Sequence, residues 1–424
     1  MEKKWMSWRG CWDYRRKDGR FENSGLCGKN DMSVRTIDEC FYQIRNGANI
    51  KQGAVDGGYP ITRIETTAND RFNRDRMGYA GITDIKKYEN YVLQDGDLLM
   101  SHINSIQYLG RTVLYEKQGD EKIIHGMNLL GLKARRDIII PAYARYCFYS
   151  QPFREQIGRI TKKSVNQASF AVADLKKIKI IVPDLSEQCE VIDILNRVNQ
   201  VIEDRQRELR KMDDLIKARF VEMFGDPVAN EKGWTTKPLL DMGKCKNGMN
   251  FHYDDKGIEI NCLGVGDFKN LSIIDNTEEL PTILLNEMPS EEYLLKDDDI
   301  VFVRSNGNKA LVGRSLAVYP GDVPTTFSGF CIRYRKHDNE ITVPYLLRVL
   351  KTDSMRMKMA GRGANIQNLN QQILGTLVIP VPPVELQNQF AAFVTEVNKS
   401  KVKVQKALDE TQKLFDSLMQ QYFG

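Results

Sequence analysis

No run of about eighteen apolar residues occurs anywhere in this chain, so the sequence predicts no membrane-spanning helix. The basic N-terminal stretch is not followed by an apolar core, which argues against a signal peptide; the expectation of a cytoplasmic protein rests on the cysteines. Cys-x-x-Cys pairs are also missing. The eight cysteines stand singly, which supports neither a zinc site nor a disulfide framework and suits reduced, buried thiols. Histidine is scarce, and His102, His125, His252 and His337 form no His-Glu-x-x-His or similar ligand spacing. The Asn-Pro-Pro-aromatic tetrad of base-amine methyltransferases is absent. Near Gly307 to Ser315 a phosphate loop fails on two counts: five residues separate the glycines, and Arg314 stands where Lys is needed. Gly264 and Gly266 lack the third glycine of a dinucleotide loop, and Asp297, Asp298 and Asp299 read as turn residues. The expectation is a chain without catalytic residues, metal or cofactor of its own. Net charge is only +5, too mild alone to indicate a nucleic-acid partner.

What is present is an internal duplication. Asn166, the Ile180-Ile181-Val182-Pro183 run and Gln188 recur about two hundred residues later as Asn365, Ile379-Pro380-Val381-Pro382 and Gln387. The match extends to Phe224-Gly225 and Phe423-Gly424. Upstream, Asn46-Gly47 matches Asn247-Gly248, Gly96-Asp97-Leu98-Leu99 matches Asp298-Asp299-Ile300-Val301, and Gly110-Arg111 matches Gly313-Arg314. Two long copies indicate two similar domains rather than a solenoid, which needs several short units. Residues 1–31 have no counterpart. Trp5, Trp8 and Trp12 there lie beside Arg9, Arg15, Arg16, Lys17 and Arg20, a mix able to grip nucleic acid by stacking. The favoured reading of 1–32 is an unstructured extension, with Met32 as an alternative start.

Within each copy, β-rich runs bounded by Gly, Asn and Asp read as strands (97–100, 112–115, 300–303 and 315–319). Pro141 and Pro344 open matching helices. After Pro183 and Pro382 the period changes. Val191, Leu195, Val198, Ile202, Arg205, Leu209, Met212, Ile216, Arg219 and Met223 alternate spacings of four and three. Phe390, Val394, Val397, Lys401, Val404, Leu408, Thr411, Phe415, Leu418 and Tyr422 repeat them. These are sustained heptads, so two long helices are expected, about 36 residues or roughly 54 Å each. Polar Arg205, Lys401 and Thr411 either snorkel at the seam or select its register. The expected fold class is α+β: two similar mixed α/β domains joined by two long helices that pair as an antiparallel coiled coil with pseudo-two-fold symmetry. Such pairing would bring Gly424 back towards the first domain.

Positive charge is placed in both copies. Arg154, Arg159, Lys162, Lys163, Lys176, Lys177 and Lys179 precede Pro183, while Arg348, Lys351, Arg356, Lys358 and Arg362 precede Pro382. Amide-rich loops accompany them, with Asn166 and Gln167 in one copy and Asn365 and Gln367 in the other. Lys and Arg bind phosphates, and Asn and Gln read adenine edges. The loops holding His102, Asn104, Gln107 and Arg111, and Arg304, Asn306, Asn308, Lys309 and Arg314, occupy equivalent places but differ in content. All these residues are candidates for DNA contact. A solvated helix surface with polar turns is the competing reading.

At the Gly-Asp-Leu-Leu and Asp-Asp-Ile-Val strands, the Ile-Val-Pro and Val-Pro-Pro turns and the long helices ending in Met-Phe-Gly and Tyr-Phe-Gly, the chain resembles the specificity subunits of type I restriction–modification systems. The resemblance covers about 33–424. It implies target recognition domains at 33–183 and 234–382, and helical regions at 184–233 and 383–424. It further implies a non-catalytic subunit reading a bipartite double-stranded DNA target, one domain per half-site, with helix length setting the spacer. The implied partners are two methyltransferase subunits and the ATP-dependent restriction subunits. S-adenosylmethionine, ATP and Mg would belong to those partners. The alternative is a coiled-coil scaffold that does not read DNA.

Overall fold

The computed structural model describes residues 33–53, 57–164, 167–251, 257–268, 273–360 and 368–424. The extension 1–32 and the candidates Asn166, Arg362, Asn365 and Gln367 lie outside them, as does His252. The chain divides into two compact units, one running to Asp204 and taking in Ala407–Gly424, the other Arg205–Lys406.

The first unit contains β1 (Ser33–Thr36), α1 (Ile37–Cys40), β2 (Phe41–Asn46), β3 (Leu98–Ser101), β4 (Ile103–Asn104), β5 (Thr112–Leu114) and β6 (Leu129–Ala134). It continues with α2 (Pro141–Tyr149), α3 (Gln151–Ile160), β7 (Lys162–Lys163), β8 (Ala168–Ser169), α4 (Val172–Leu175), β9 (Lys179–Val182) and the first half of α5 (Leu185–Phe224). In the second unit follow β10 (Thr236–Pro238), β11 (Gly243–Asn247), β12 (Ile258–Leu263), β13 (Ile273–Ile274), β14 (Thr282–Leu285), β15 (Asp299–Val303), β16 (Ser315–Val318), β17 (Thr325–Phe327) and β18 (Cys331–Lys336). Helices α6 (Val343–Leu350), α7 (Asp353–Ala360) and α8 (Gln371–Gly375), strand β19 (Val378–Pro380) and helix α9 (Val384–Phe423) complete the order.

The expected duplication is visible strand by strand. The central sheet runs β2-β6-β3-β5 in the first unit and β11-β18-β15-β16, extended by β13, in the second. Leu98 pairs with Leu132 and Leu114, as Ile300 pairs with Tyr334 and Ala317. The N-terminal strand of each unit pairs with the strand before its long helix, β1 with β9 and β10 with β19. Each sheet carries the same internal ion pair: Lys133 Nζ to Asp97 at 2.8 Å, and Arg335 Nη2 to Asp299 at 2.7 Å. Asp299 is therefore a buried strand residue, while Asp297 accepts the Gly321 N–H and Asp298 adopts φ 70°. The matched glycines also have a shared cause. A Cβ at Gly47 would overlap the Gly126 carbonyl, and one at Gly248 the Ser328 carbonyl. The units differ between these glycines and β3 or β15. There the first unit has 3-10 turns at Ile64–Asp70 and Lys86–Tyr91 and single bridges from Ile61 to Gly78 and Ile124, where the second has strands β12 and β14, which join the later β17 in a three-stranded sheet.

Two repeated residues unexplained by pattern alone now acquire a role. Gln188 is fully buried; its Oε1 accepts the Ile140 N–H at 2.8 Å, and its Nε2 donates to the carbonyls of Ile138 and Pro183. Gln387 does the same for Thr342, Glu340 and Pro382. Each glutamine thus satisfies backbone groups at the entry to the Pro-started helix, where burial without partners would be costly.

The two long helices contribute to both cores. In the first unit, Val191, Ile192 and Leu195 at the start of α5 share a core with Phe415, Leu418, Tyr422 and Phe423 at the end of α9. In the second, Ile216, Phe220, Met223 and Phe224 at the end of α5 share one with Leu386, Phe390 and Val394 at the start of α9. Start meets end in each case, so the helices pair antiparallel. Every residue of the two predicted ladders is buried or half-buried, Val198, Ile202, Leu209, Met212, Val397, Val404 and Leu408 included. Of the polar ladder positions, Lys401 crosses to Asp213 of the other helix at 2.6 Å, which favours the register reading there. Arg205 pairs with Glu208, and Thr411 bonds the Ala407 carbonyl, both within their own helix. Cys40, Cys147, Cys189, Cys262 and Cys331 are buried free thiols and Cys245 is partly so; Cys11 and Cys27 lie outside the described residues. Among the described residues, no helix is long and apolar enough to cross a membrane.

Candidate nucleic-acid interface

In the first unit the fold brings two sequence-distant candidate loops together. Strand β8 pairs with both β4 and β7, with Asn104 opposite Ala168 and Lys163 opposite the same residue. Lys162, Lys163 and Gln167 are exposed along this small ribbon, and Gln107 is exposed in the turn Ile106–Tyr108 that follows β4. Asn104 is half-buried and committed locally: its Oδ1 accepts the Ser105 N–H at 2.8 Å and its Nδ2 donates to Ser101 Oγ. Arg111 lies over the Tyr108 ring at 4.6 Å and binds Asp70 at 2.8 Å. Asp70 also accepts the Tyr149 hydroxyl. These residues border a cleft of about 530 Å³ with Gln107, Arg111, Arg154 and Lys163 at its rim, Ile106 beside them, and Phe148, Phe153 and Ile157 beneath. A cationic rim over an aromatic floor suits a phosphate backbone with its sugars.

His102 is placed otherwise. It is buried edge-on against Phe170, and desolvation lowers its pKa. Strand β4 begins at the next residue, and the alternation of a strand sends His102 to the covered face. It packs the ribbon instead of facing a groove.

In the second unit Arg304, Asn306, Asn308 and Lys309 form a polar turn. Asn306 Oδ1 accepts the Asn308 N–H at 2.7 Å, and Asn308 Oδ1 accepts the Ala310 N–H at 3.1 Å. Arg304 is fixed at both ends: its N–H donates to the Phe330 carbonyl at 2.8 Å, and its Nη1 to the Gly329 carbonyl at 3.3 Å. Arg314 is half-buried behind this turn.

The symmetric placement of basic residues does not survive folding. Arg154, Arg159, Lys177 and Lys179 of the first stretch are exposed. Of the second stretch, Arg348, Lys351 and Arg356 are half-buried and Lys358 is exposed, while Arg362 lies outside the described residues. The Arg348 guanidinium lies 5.9 Å from the Phe220 ring centroid, and Arg356 donates to the carbonyls of Val312 and Gly313. Burial, with Arg348 and Lys401 nearby, pushes Lys351 down to about 8. Arg348 lies on α6, whose Tyr345 packs on Phe220 and Phe224 of α5, and Arg356 on α7 reaches back to the turn before β16. Sequence reading also passed over Phe330, Ile106 and Tyr108, exposed apolar residues beside the polar turns. Only their position within loops signalled them.

The comparisons agree with this architecture. The family described as type I restriction modification DNA specificity domain matches twice, over residues 29–211 and 231–411. The chain belongs to that family. A type I restriction enzyme specificity subunit of Methanocaldococcus jannaschii is 27% identical over 412 residues, covering 89% of this chain and 91% of the relative. The StySPI specificity subunit of Salmonella potsdam is 25% identical over 399 residues, covering 87% and 82%. Among solved structures, a type I S subunit from M. genitalium aligns with a TM-score of 0.52 at 16% identity, over 94% of this chain and 98% of that one. A chain from a study of type I restriction–modification complex assembly gives 0.53 at 15% identity, over 92% and 97%. These two likenesses show that the family fold is shared.

Proposed function

We propose that this chain is the DNA-reading subunit of a type I restriction–modification complex, with one unit for each half of a split target. The observation that carries the reading is the duplicated scaffold with unlike loops. Strand register, ion pair and glutamine clamp are the same in both units, while the polar turns at 102–111 and 304–314 differ in sequence and in bonding. Equal frames with different reading loops suit two different half-sites.

The chain itself performs no chemistry in this proposal. Methyl transfer, with its S-adenosylmethionine, and ATP- and Mg-dependent restriction belong to partner subunits. For those partners α5 offers Ile194, Val201 and Leu215, exposed at heptad-related spacing beside the ladder, and α9 offers Leu414. Helix length would then set the spacer, so one heptad inserted into each long helix lengthens it. The direct test maps methyl-adenine across a genome with and without this gene. Loss of one split motif on deletion is the expected result. Unchanged methylation, with the chain still joining its partners, would favour a scaffold that does not read DNA.

A further inference from the structure

We propose that Phe330 is a base-reading residue of the second unit, packing against the C5-methyl of a thymine in the major groove between hydrogen-bonding contacts from Arg304 and Asn250. The inference deepens the DNA-reading function above and rests on it.

Phe330 is 61% exposed, the most exposed large apolar aromatic among the described residues. A single exposed apolar side chain is ordinary on a protein surface. Its setting is not. The backbone of Phe330 is held by three hydrogen bonds: its N–H donates to Ser328 Oγ at 3.3 Å, and its carbonyl accepts from Arg304 at 2.8 Å and Ser305 at 3.4 Å. The turn beneath it is stapled as well, since the Gly329 N–H donates to the Met249 carbonyl at 2.8 Å. A ring presented on so fixed a turn can meet a partner without ordering a loop, which lowers the entropic cost of contact.

The neighbours supply the rest of a readout. The Arg304 guanidinium reaches the Gly329 carbonyl. Asn250 is exposed, and its Oδ1 lies so close to Gly329 that a Cβ there would clash with it. Arginine matches the guanine edge, asparagine the adenine edge, and an apolar side chain the thymine methyl. All three types converge on one turn, beside the loop that carries Asn306, Asn308 and Lys309. In the first unit the equivalent turn, which likewise bonds Met127 N–H to the Ala48 carbonyl, carries Met127 and Asn128 instead. The scaffold is shared and the presented side chain is not, as expected of a residue that distinguishes two half-sites.

The test uses the assembled complex and its mapped target, with each thymine of one half-site replaced singly by deoxyuridine. Removing one buried methyl is worth about 0.8 kcal/mol, roughly a fourfold loss of affinity. One uracil position should show that loss with the unaltered chain. Phe330→Ala should bind the thymine duplex at least fourfold more weakly and be indifferent to uracil at that position, while Phe330→Leu retains part of the preference. Unchanged melting of both variants separates a contact from a folding defect. Equal affinity and an equal thymine-to-uracil ratio for Phe330→Ala would overturn the assignment, as would indifference of the unaltered complex to every uracil. A base analogue reporting unstacking beside Phe330 would show a wedge and so contradict groove readout. If the unaltered complex shows no sequence preference at all, the DNA-reading function itself fails.

Discussion

Replacing Phe423 by alanine should loosen the first unit, although more than two hundred residues of chain lie between its globular part and this position. Phe423 is 4% exposed and sits 5.2 Å, centroid to centroid, from Tyr143 on α2. Phe224, its repeat partner, is 4.7 Å from Tyr345 and 5.6 Å from Phe390 in the second unit. Truncating a buried phenylalanine costs about 3–5 kcal/mol through lost transfer energy and the cavity left behind. Phe423 has the Tyr143 ring on α2 as its aromatic neighbour, so about 3 kcal/mol, the lower end, is expected. Phe224 has aromatic neighbours on three elements, and about 4 kcal/mol is expected. Hydrogen exchange read peptide by peptide distinguishes the two. Phe423→Ala should speed exchange in β6, α2 and β9 while leaving β15, β18 and α6 protected. Phe224→Ala should do the reverse. A Phe423→Ala protein whose exchange changes in the second unit, or nowhere, would refute the claim that each long helix closes the core at its far end.

Gln188→Leu, close in volume, strips the Ile140 N–H and two carbonyls of their partner in a buried place. A loss of about 3 kcal/mol is expected in denaturant unfolding, and a neutral result would mean that these groups find other partners. Burial pushes the His125 pKa down from 6.5 to about 4, with its Nε2 against the Leu129 carbonyl and Gly131 close beside the ring. The folded state resists protonation, so this contribution is complete above pH 6.5 and falls, by about 3 kcal/mol in all, as pH drops towards 4. His125→Phe, the residue type of the equivalent Phe327, should flatten that part of the stability-against-pH curve; an unchanged slope would place the effect elsewhere. Lys163→Ala at the cleft rim should weaken DNA binding by the complex similarly on all sequences and reduce the magnitude of the salt slope by about one. An unaltered slope would remove Lys163 from the phosphate contacts.

The scaffold was legible because the same physical constraints act twice. Ladder residues such as Val191 and Phe390 must face a seam, Pro141 and Pro344 must open helices, and Gly47 and Gly248 must admit a neighbouring carbonyl, so the pattern survives divergence. Strands β2 and β11 were harder to read, because Gln43 and Arg45, or Lys244 and Lys246, interrupt any apolar alternation with residues paired across the sheet. The Gln188 and Gln387 repeats were visible, but their purpose was not, since their partners lie about fifty residues away. The site was legible only in part. Charge along the sequence says nothing of helix phase, so the exposed Arg154 and its counterpart Arg356, which reaches in to two backbone carbonyls, looked alike. His102 looked like a loop residue because a two-residue strand leaves no periodicity. Phe330 gave no signal, as a lone aromatic before a strand is usually a core residue.

The central claim is that each unit reads its own half of a split target. The most direct measurement maps methyl-adenine in cells whose only specificity chain carries altered residues Arg304, Asn306, Asn308 and Phe330. The account predicts a new or relaxed sequence in one half of the motif, with the other half and the spacer unchanged. Simultaneous change in both halves, or full methylation of the original motif, would contradict it.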